Sequence, residues 1–160
     1  MQEIDRQQKE ALAWAASMEP SLRTIVAVGV AMDIIRATGV EEFSEIHKIL
    51  DDPSLTALEK ETLLAELSEN IDTHYFDLQD AGDPTYILFF RRARAVMSLQ
   101  GAVLADDPSQ FSNFVYEGSH ALITDYKLSQ NTQDQRVGIF RLGAIAVSLG
   151  FEKENPFPEK

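Results

Sequence analysis

Apolar residues recur along the chain at spacings of three and four, and no stretch alternates apolar and polar positions between Gly or Asn-Gly turns as a half-buried strand does. The pattern predicts an all-α chain folded as a single-domain bundle of about seven helices. The first covers about 2–18 and stops at Glu19-Pro20, because the residue before a proline is pushed out of helical geometry. Ser21 caps the second, about 22–38, which ends at Gly39, the residue type that tolerates a left-handed terminus. A short third helix (41–51) gathers Phe43, Ile46, His47 and Leu50 on one side and ends before Pro53. Thr56-Ala57-Leu58-Glu59 has the form of a capping box and opens a long fourth helix reaching Asp80, before Gly82. Asp83-Pro84 and Asp107-Pro108 place a cap before a first-turn proline, giving a fifth helix over 84–105 and a sixth over 108–128. Asn131 or Thr132 opens the seventh, which ends at Leu149-Gly150. Residues 1–150 are read as one helical domain, and 151–160, with Pro156 and Pro158, as an extended C-terminal tail.

The helices differ in what they bury. The fourth is amphipathic: Leu63, Leu64, Leu67, Ile71, Tyr75 and Leu78 share one face, and Glu59, Glu66, Glu69, Asp77 and Asp80 share the other. The second, fifth and seventh are apolar almost all round, which places them at the centre or under a second subunit. A homodimer through the fifth or seventh helix is therefore expected.

Composition narrows the function. A chain of 160 residues, 44% hydrophobic and 25% charged, is an ordinary globular domain with one core. It has no cysteine, which removes disulfides, thiol catalysis, iron–sulfur clusters and Cys-ligated zinc. The start, Met1-Gln2-Glu3-Ile4-Asp5, carries no basic segment leading into an apolar one, so a cytoplasmic location is expected. The longest apolar run, Ile25 to Met32, falls well short of the roughly 18 residues that a membrane span requires.

The formal charge of −12 is unevenly spread. Residues 41–83 hold thirteen acids against two bases, Lys48 and Lys60, whereas 84–149 are close to neutral. An acidic balance argues against nucleic acid and against an anionic membrane surface, both of which are bound through Lys and Arg. Ordinary exposed faces mix signs. A face this one-sided attracts a basic partner, as nuclease inhibitors, immunity proteins and mimics of nucleic-acid phosphates do. The leading expectation is a non-enzymatic protein that docks a basic partner through the helix three–four hairpin, using Glu59, Glu66, Glu69, Asp77 and Asp80.

Catalytic signatures are missing. There is no Gly-x-Ser-x-Gly elbow, no Walker lysine and no Gly-x-Gly-x-x-Gly. His47, His74 and His120 fall on three helices without a His-x-x-x-His pair, and Glu117-x-x-His120 lacks the second copy that a di-iron bundle needs. No metal, cofactor or catalytic residue is expected. On the helical wheel His74 lies within the apolar stripe, as a hydrogen-bonded core histidine, while His120 joins Asn113, Tyr116, Glu117 and Lys127 on a polar side. Arg92 sits among Leu88, Val96, Leu99 and Val103, where an unpaired charge costs several kcal/mol, so a carboxylate is expected to meet it, with Asp33 the candidate. The alternative reading is an internal polar site of Arg92, Asp33, Arg91, Arg94 and the histidines that binds a small anion or a metal. A third is a structural homo-oligomer.

Overall fold

The computed structural model describes residues 3–124 and 132–158. They form seven helices and no strand: α1 (Glu3–Ala16), α2 (Pro20–Thr38), α3 (Phe43–Asp51), α4 (Ala57–Asp80), α5 (Tyr86–Ala102), α6 (Pro108–Ala121) and α7 (Thr132–Ser148). The all-helical single domain anticipated from the apolar spacing is what folds. Asn131, one of two residues expected to open the seventh helix, and Lys127 lie outside the described residues.

The ends follow local chemistry. At α4 the capping box is complete: Glu59 N donates to Thr56 Oγ1 and Thr56 N to Glu59 Oε1, both at 3.1 Å. Gly39 takes φ 69° and ends α2. α2 begins at Pro20 itself rather than after Ser21, because Glu19 is extended (ψ 152°) and a proline at the first position lacks only an N–H that has no helical partner. The Asp-Pro steps share one device. Oδ1 of Asp52, Asp83 and Asp107 accepts from both the backbone N and the side-chain hydroxyl of the residue two positions on: Ser54, Thr85 and Ser109. At Asp107 this caps α6 directly. At Asp83 it closes a turn first, and α5 starts at Tyr86, later than the sequence implies.

α5 and α6 form the centre. α5 packs on α2, α4 and α6, and α6 packs on α1, α2, α5 and α7. The expectation that α7 rather than α6 is central does not hold. Buried Phe111 and Phe114 give α6 its bulk at the core, alongside Ile34, Ile35, Leu64, Leu99, Ile139 and Leu142 from its neighbours. Small residues bring the axes close: a methyl group built on Gly101 of α5 would stand 2.8 Å from Gln110 O and Phe114 N of α6.

The segment after α7 carries no regular element up to Pro158, yet it packs back on the bundle. Phe157 is fully buried, edge-on to Trp14 at 5.4 Å. Trp14 Nε1 donates to Glu152 Oε1 (2.9 Å) and Asn155 Nδ2 to Phe140 O (2.9 Å). Arg136 holds Glu10 with two hydrogen bonds (2.7 and 2.9 Å) while its Nε donates to Pro158 O, tying α1, α7 and the chain end together. Among the described residues no helix is long and apolar enough to cross a membrane.

Candidate functional site

α4 is held on α5 by Leu64 and Ile71, which are buried, with Leu67 partly buried beside them. That orientation turns Glu59, Glu66, Glu69, Asp77 and Asp80 outward, and all five are exposed. Among the described residues none of the five forms an ion pair. Lys60, the only lysine or arginine on the helix, is turned inward and donates its Nζ to Leu50 O at 2.7 Å. Two large apolar side chains stand on the same outer surface, Leu58 (64% exposed) and Phe76 (54%), about 27 Å apart along the axis at 1.5 Å per residue.

Between α4 and α6, over α5, lies a groove of about 420 Å³. Glu61, Glu69 and Glu117 line it together with Ser68, Gln100 and Asn113. Its floor is wired: Ser68 Oγ donates to Gln100 Oε1 (2.7 Å), and Gln100 Nε2 donates to Glu61 Oε1 (3.2 Å). Beside the groove Arg94 lies over the Phe90 ring (4.9 Å) and bridges Glu117 (3.2 Å) and Asp72 (3.6 Å). Burial pushes the Asp72 carboxyl above the ordinary aspartate range, and the Arg94 charge opposes that rise. The groove was missed from the sequence, although the polar residues Glu61, Ser68 and Asp72 recur at i, i+7 and i+11, with the small Ala65 between them. That spacing marks a polar stripe running beside the apolar one.

The arginines of the alternative reading do not converge. Arg91 Nε donates to Ala121 O (2.9 Å) and Arg92 Nε to Thr38 O (3.1 Å), while Arg94 keeps its two carboxylates. Asp33 does not meet Arg92. It pairs with Arg36 one turn along its own helix (3.5 Å), and the carboxylate nearest Arg92 is the exposed Glu41, at 3.8 Å. Arg92 needs no buried acid because its charge rests on the last carbonyl of α2, Thr38 O, and on the Phe89 ring at 5.1 Å. The same use recurs elsewhere. Arg23 donates to Ala15 O in the last turn of α1 and to Met18 O just beyond it, and Arg141 to Leu122 O beside Ala121 at the end of α6. Free carbonyls and the negative end of the helix dipole gather at each of these termini, so a cation there needs no carboxylate.

The histidines lie apart in character as well as in sequence. His74 is exposed, packed on Phe89 (ring centroids 4.4 Å), and not the core histidine that the wheel implied. α4 turns it toward the start of α5, beyond the last buried turn. His47 is exposed against Phe43, and half-buried His120 has Nδ1 2.8 Å from Tyr116 O. Among the described residues no three His, Asp or Glu side chains are grouped to hold a metal ion. α5, expected with α7 to offer a dimer face, is flanked by α2, α4 and α6. Comparison with protein-family models, with curated proteins and with solved structures gives no match for the chain.

Proposed function

We propose that the chain is a non-enzymatic binding protein that docks a basic protein through the outer face of α4. The observation that carries this reading is the row of five exposed carboxylates, Glu59 to Asp80, with the helix's own lysine turned inward. Such a face repels itself, and a cationic surface relieves that repulsion. Leu58 and Phe76 supply apolar anchors within the acidic field, the arrangement in which binding energy concentrates at a few desolvated side chains. The groove behind Glu69 adds a polar, acid-lined recess open to Lys or Arg side chains of the partner.

The test is affinity capture at low and at high salt with the wild-type protein and with a Glu66→Lys, Asp77→Lys, Asp80→Lys variant. These positions face away from the core, so the variant keeps its circular dichroism and its cooperative melt. The reading expects a partner with a basic surface, retained at low salt, released at high salt and lost from the variant. Field effects between exposed charges are screened over about 8 Å at physiological ionic strength. Capture of the same proteins by the variant, or none at any salt, would overturn it.

A further inference from the structure

From Asp72 to Arg92, through the end of α4, the turn and the first two turns of α5, no residue is fully buried, although the stretch is rich in aromatic side chains. Three rings stand in a row at this end of the hairpin. Phe76 lies against Tyr75 (centroids 4.7 Å), and Tyr75 is stacked on Tyr86 (6.1 Å, 26° between planes). Phe76 is 54% exposed, and Tyr75 and Tyr86 are half-buried. Large rings gathered at solvent mark a contact surface. The charge beside them has one sign: between Lys60 and Arg91 the chain carries seven acids and no lysine or arginine. Asp80, one turn after Phe76, lies on the same side of α4 and is exposed.

We propose that this aromatic end takes an arginine side chain of the basic partner, its guanidinium lying on the Phe76 ring while its N–H groups donate to the Asp80 carboxylate. The site belongs to the docking face proposed above and rests on that reading, to which it adds the residue type selected. Charge decides against a second copy of this chain, which would bring its own net −12 to the same place. The rings decide between the two cations. A guanidinium is planar and weakly hydrated, so it stacks on a ring while bonding a carboxylate, whereas an ammonium is a compact and strongly hydrated charge. The hairpin already holds one such pairing: Arg94 lies over Phe90 at 4.9 Å and meets Asp72 of α4 at 3.6 Å. Phe76 and Asp80 offer the same two partners, a ring and a carboxylate, at solvent.

The experiment titrates the full chain with hexa-arginine and, separately, with hexa-lysine at one low ionic strength. Affinity is read by calorimetry, and contact by the arginine δ-methylene protons, which the face of a ring shifts upfield. Expected is binding of hexa-arginine at least about threefold tighter than of hexa-lysine, with the upfield shift. Phe76→Leu keeps an apolar side chain at an exposed position, and unchanged circular dichroism checks its fold. In that variant the preference falls toward one and the shift disappears, while hexa-lysine affinity changes by less than about twofold. Equal affinities in the wild type, a preference that survives Phe76→Leu, or no binding of hexa-arginine would each overturn the proposal. Its failure is distinct from that of the docking face. Peptides of equal affinity, both lost from the Glu66→Lys, Asp77→Lys, Asp80→Lys variant, remove the arginine site and keep the acidic face; peptides that bind that variant unchanged remove both.

Discussion

Replacing Gly101 with alanine sets two effects against each other. In an exposed helix the change stabilises by about 1 kcal/mol, because glycine is the poorer helix former. Here the new methyl would stand 2.8 Å from Gln110 O, 2.8 Å from Phe114 N and 3.2 Å from Phe114 Cα, all backbone atoms of α6. Backbone cannot rotate away, so α5 and α6 must separate by several tenths of an ångström, loosening Leu99, Phe111 and Phe114 together. Overpacking of a filled core costs about 1–3 kcal/mol, and a contact without a flexible partner belongs at or above the upper end. The net expectation is a loss of about 2 kcal/mol, or roughly 4–8 °C of melting temperature for a domain of this size. Urea unfolding followed by fluorescence of Trp14, the single and buried tryptophan, measures it directly. Gly118→Ala is the control, because its methyl would meet Leu142 Cδ1, Ser98 Oγ and Ile34 Cδ1, which are side-chain atoms rather than backbone. Its loss should be under about 1 kcal/mol. If Gly101→Ala is as stable as the wild type, the close approach of α5 and α6 does not govern the packing and the reasoning fails.

Arg136→Met should destabilise by about 2–3 kcal/mol, below the full range for a broken buried pair because Glu10 keeps Arg6 at 3.3 Å. In urea titrations, adding Glu10→Gln should recover part of that loss, and strict additivity would mean that the pair is not coupled. Backbone and hydroxyl hydrogen bonds from Ser109 hold the Asp107 carboxyl below its ordinary value of 3.8. The stability it lends is therefore complete above that pH and lost as pH falls through the depressed value, so Asp107→Asn, which keeps the cap acceptor, should flatten the acid limb of the stability–pH curve and change little at neutral pH. An unchanged acid limb would show that the cap is not coupled to folding. The wild-type melting temperature should rise with added salt as α4 self-repulsion is screened, and Glu66→Lys should raise it at low salt and reduce that dependence. A melting temperature that falls with salt would show that internal pairs such as Arg94–Glu117 outweigh the surface field.

The apolar period was enough to place all seven helices, because an amphipathic stripe records which side is buried whatever it is buried against. The Thr56-Glu59 box and Gly39 were legible for a related reason: each satisfies its terminus within a few residues. What the sequence hid depends on distant partners. α6 stops at Ala121 rather than near 128, and Arg91 and Arg141, on two other helices, take up Ala121 O and Leu122 O. No local signal announces an end completed from elsewhere. Arg92 misled for the same reason. Its apolar neighbours correctly implied burial, but a carbonyl at the end of α2 took the place assigned to Asp33. The central place of α6 was masked because its polar face, with Asn113 and Glu117, lines the groove while Phe111 and Phe114 fill the core from the other side.

The same cations bear on the acidic face. The chain has 14 lysines and arginines against 26 acids, a ratio that still allows a mixed surface. Yet Arg23, Lys60, Arg91, Arg92 and Arg141 are directed at backbone carbonyls, and Arg94 at two carboxylates beside the groove. Of the cations shown on or against α4, Lys60 joins it to the end of α3 and Arg94 joins it to α5 and α6. Among the described residues the five outer acids of α4 are thus left without an ion pair, and the field they project is stronger than the formula charge divided over the surface. A bundle needing only stability would place lysines at i+4 from those acids, each pair worth about 0.3–0.5 kcal/mol. Along α4 the residues four positions after Glu59, Glu66 and Glu69 are Leu63, Asn70 and Thr73, none of them basic. The local rule for a stable surface helix is set aside where the proposed partner would sit, and departures of that kind gather where a surface serves binding.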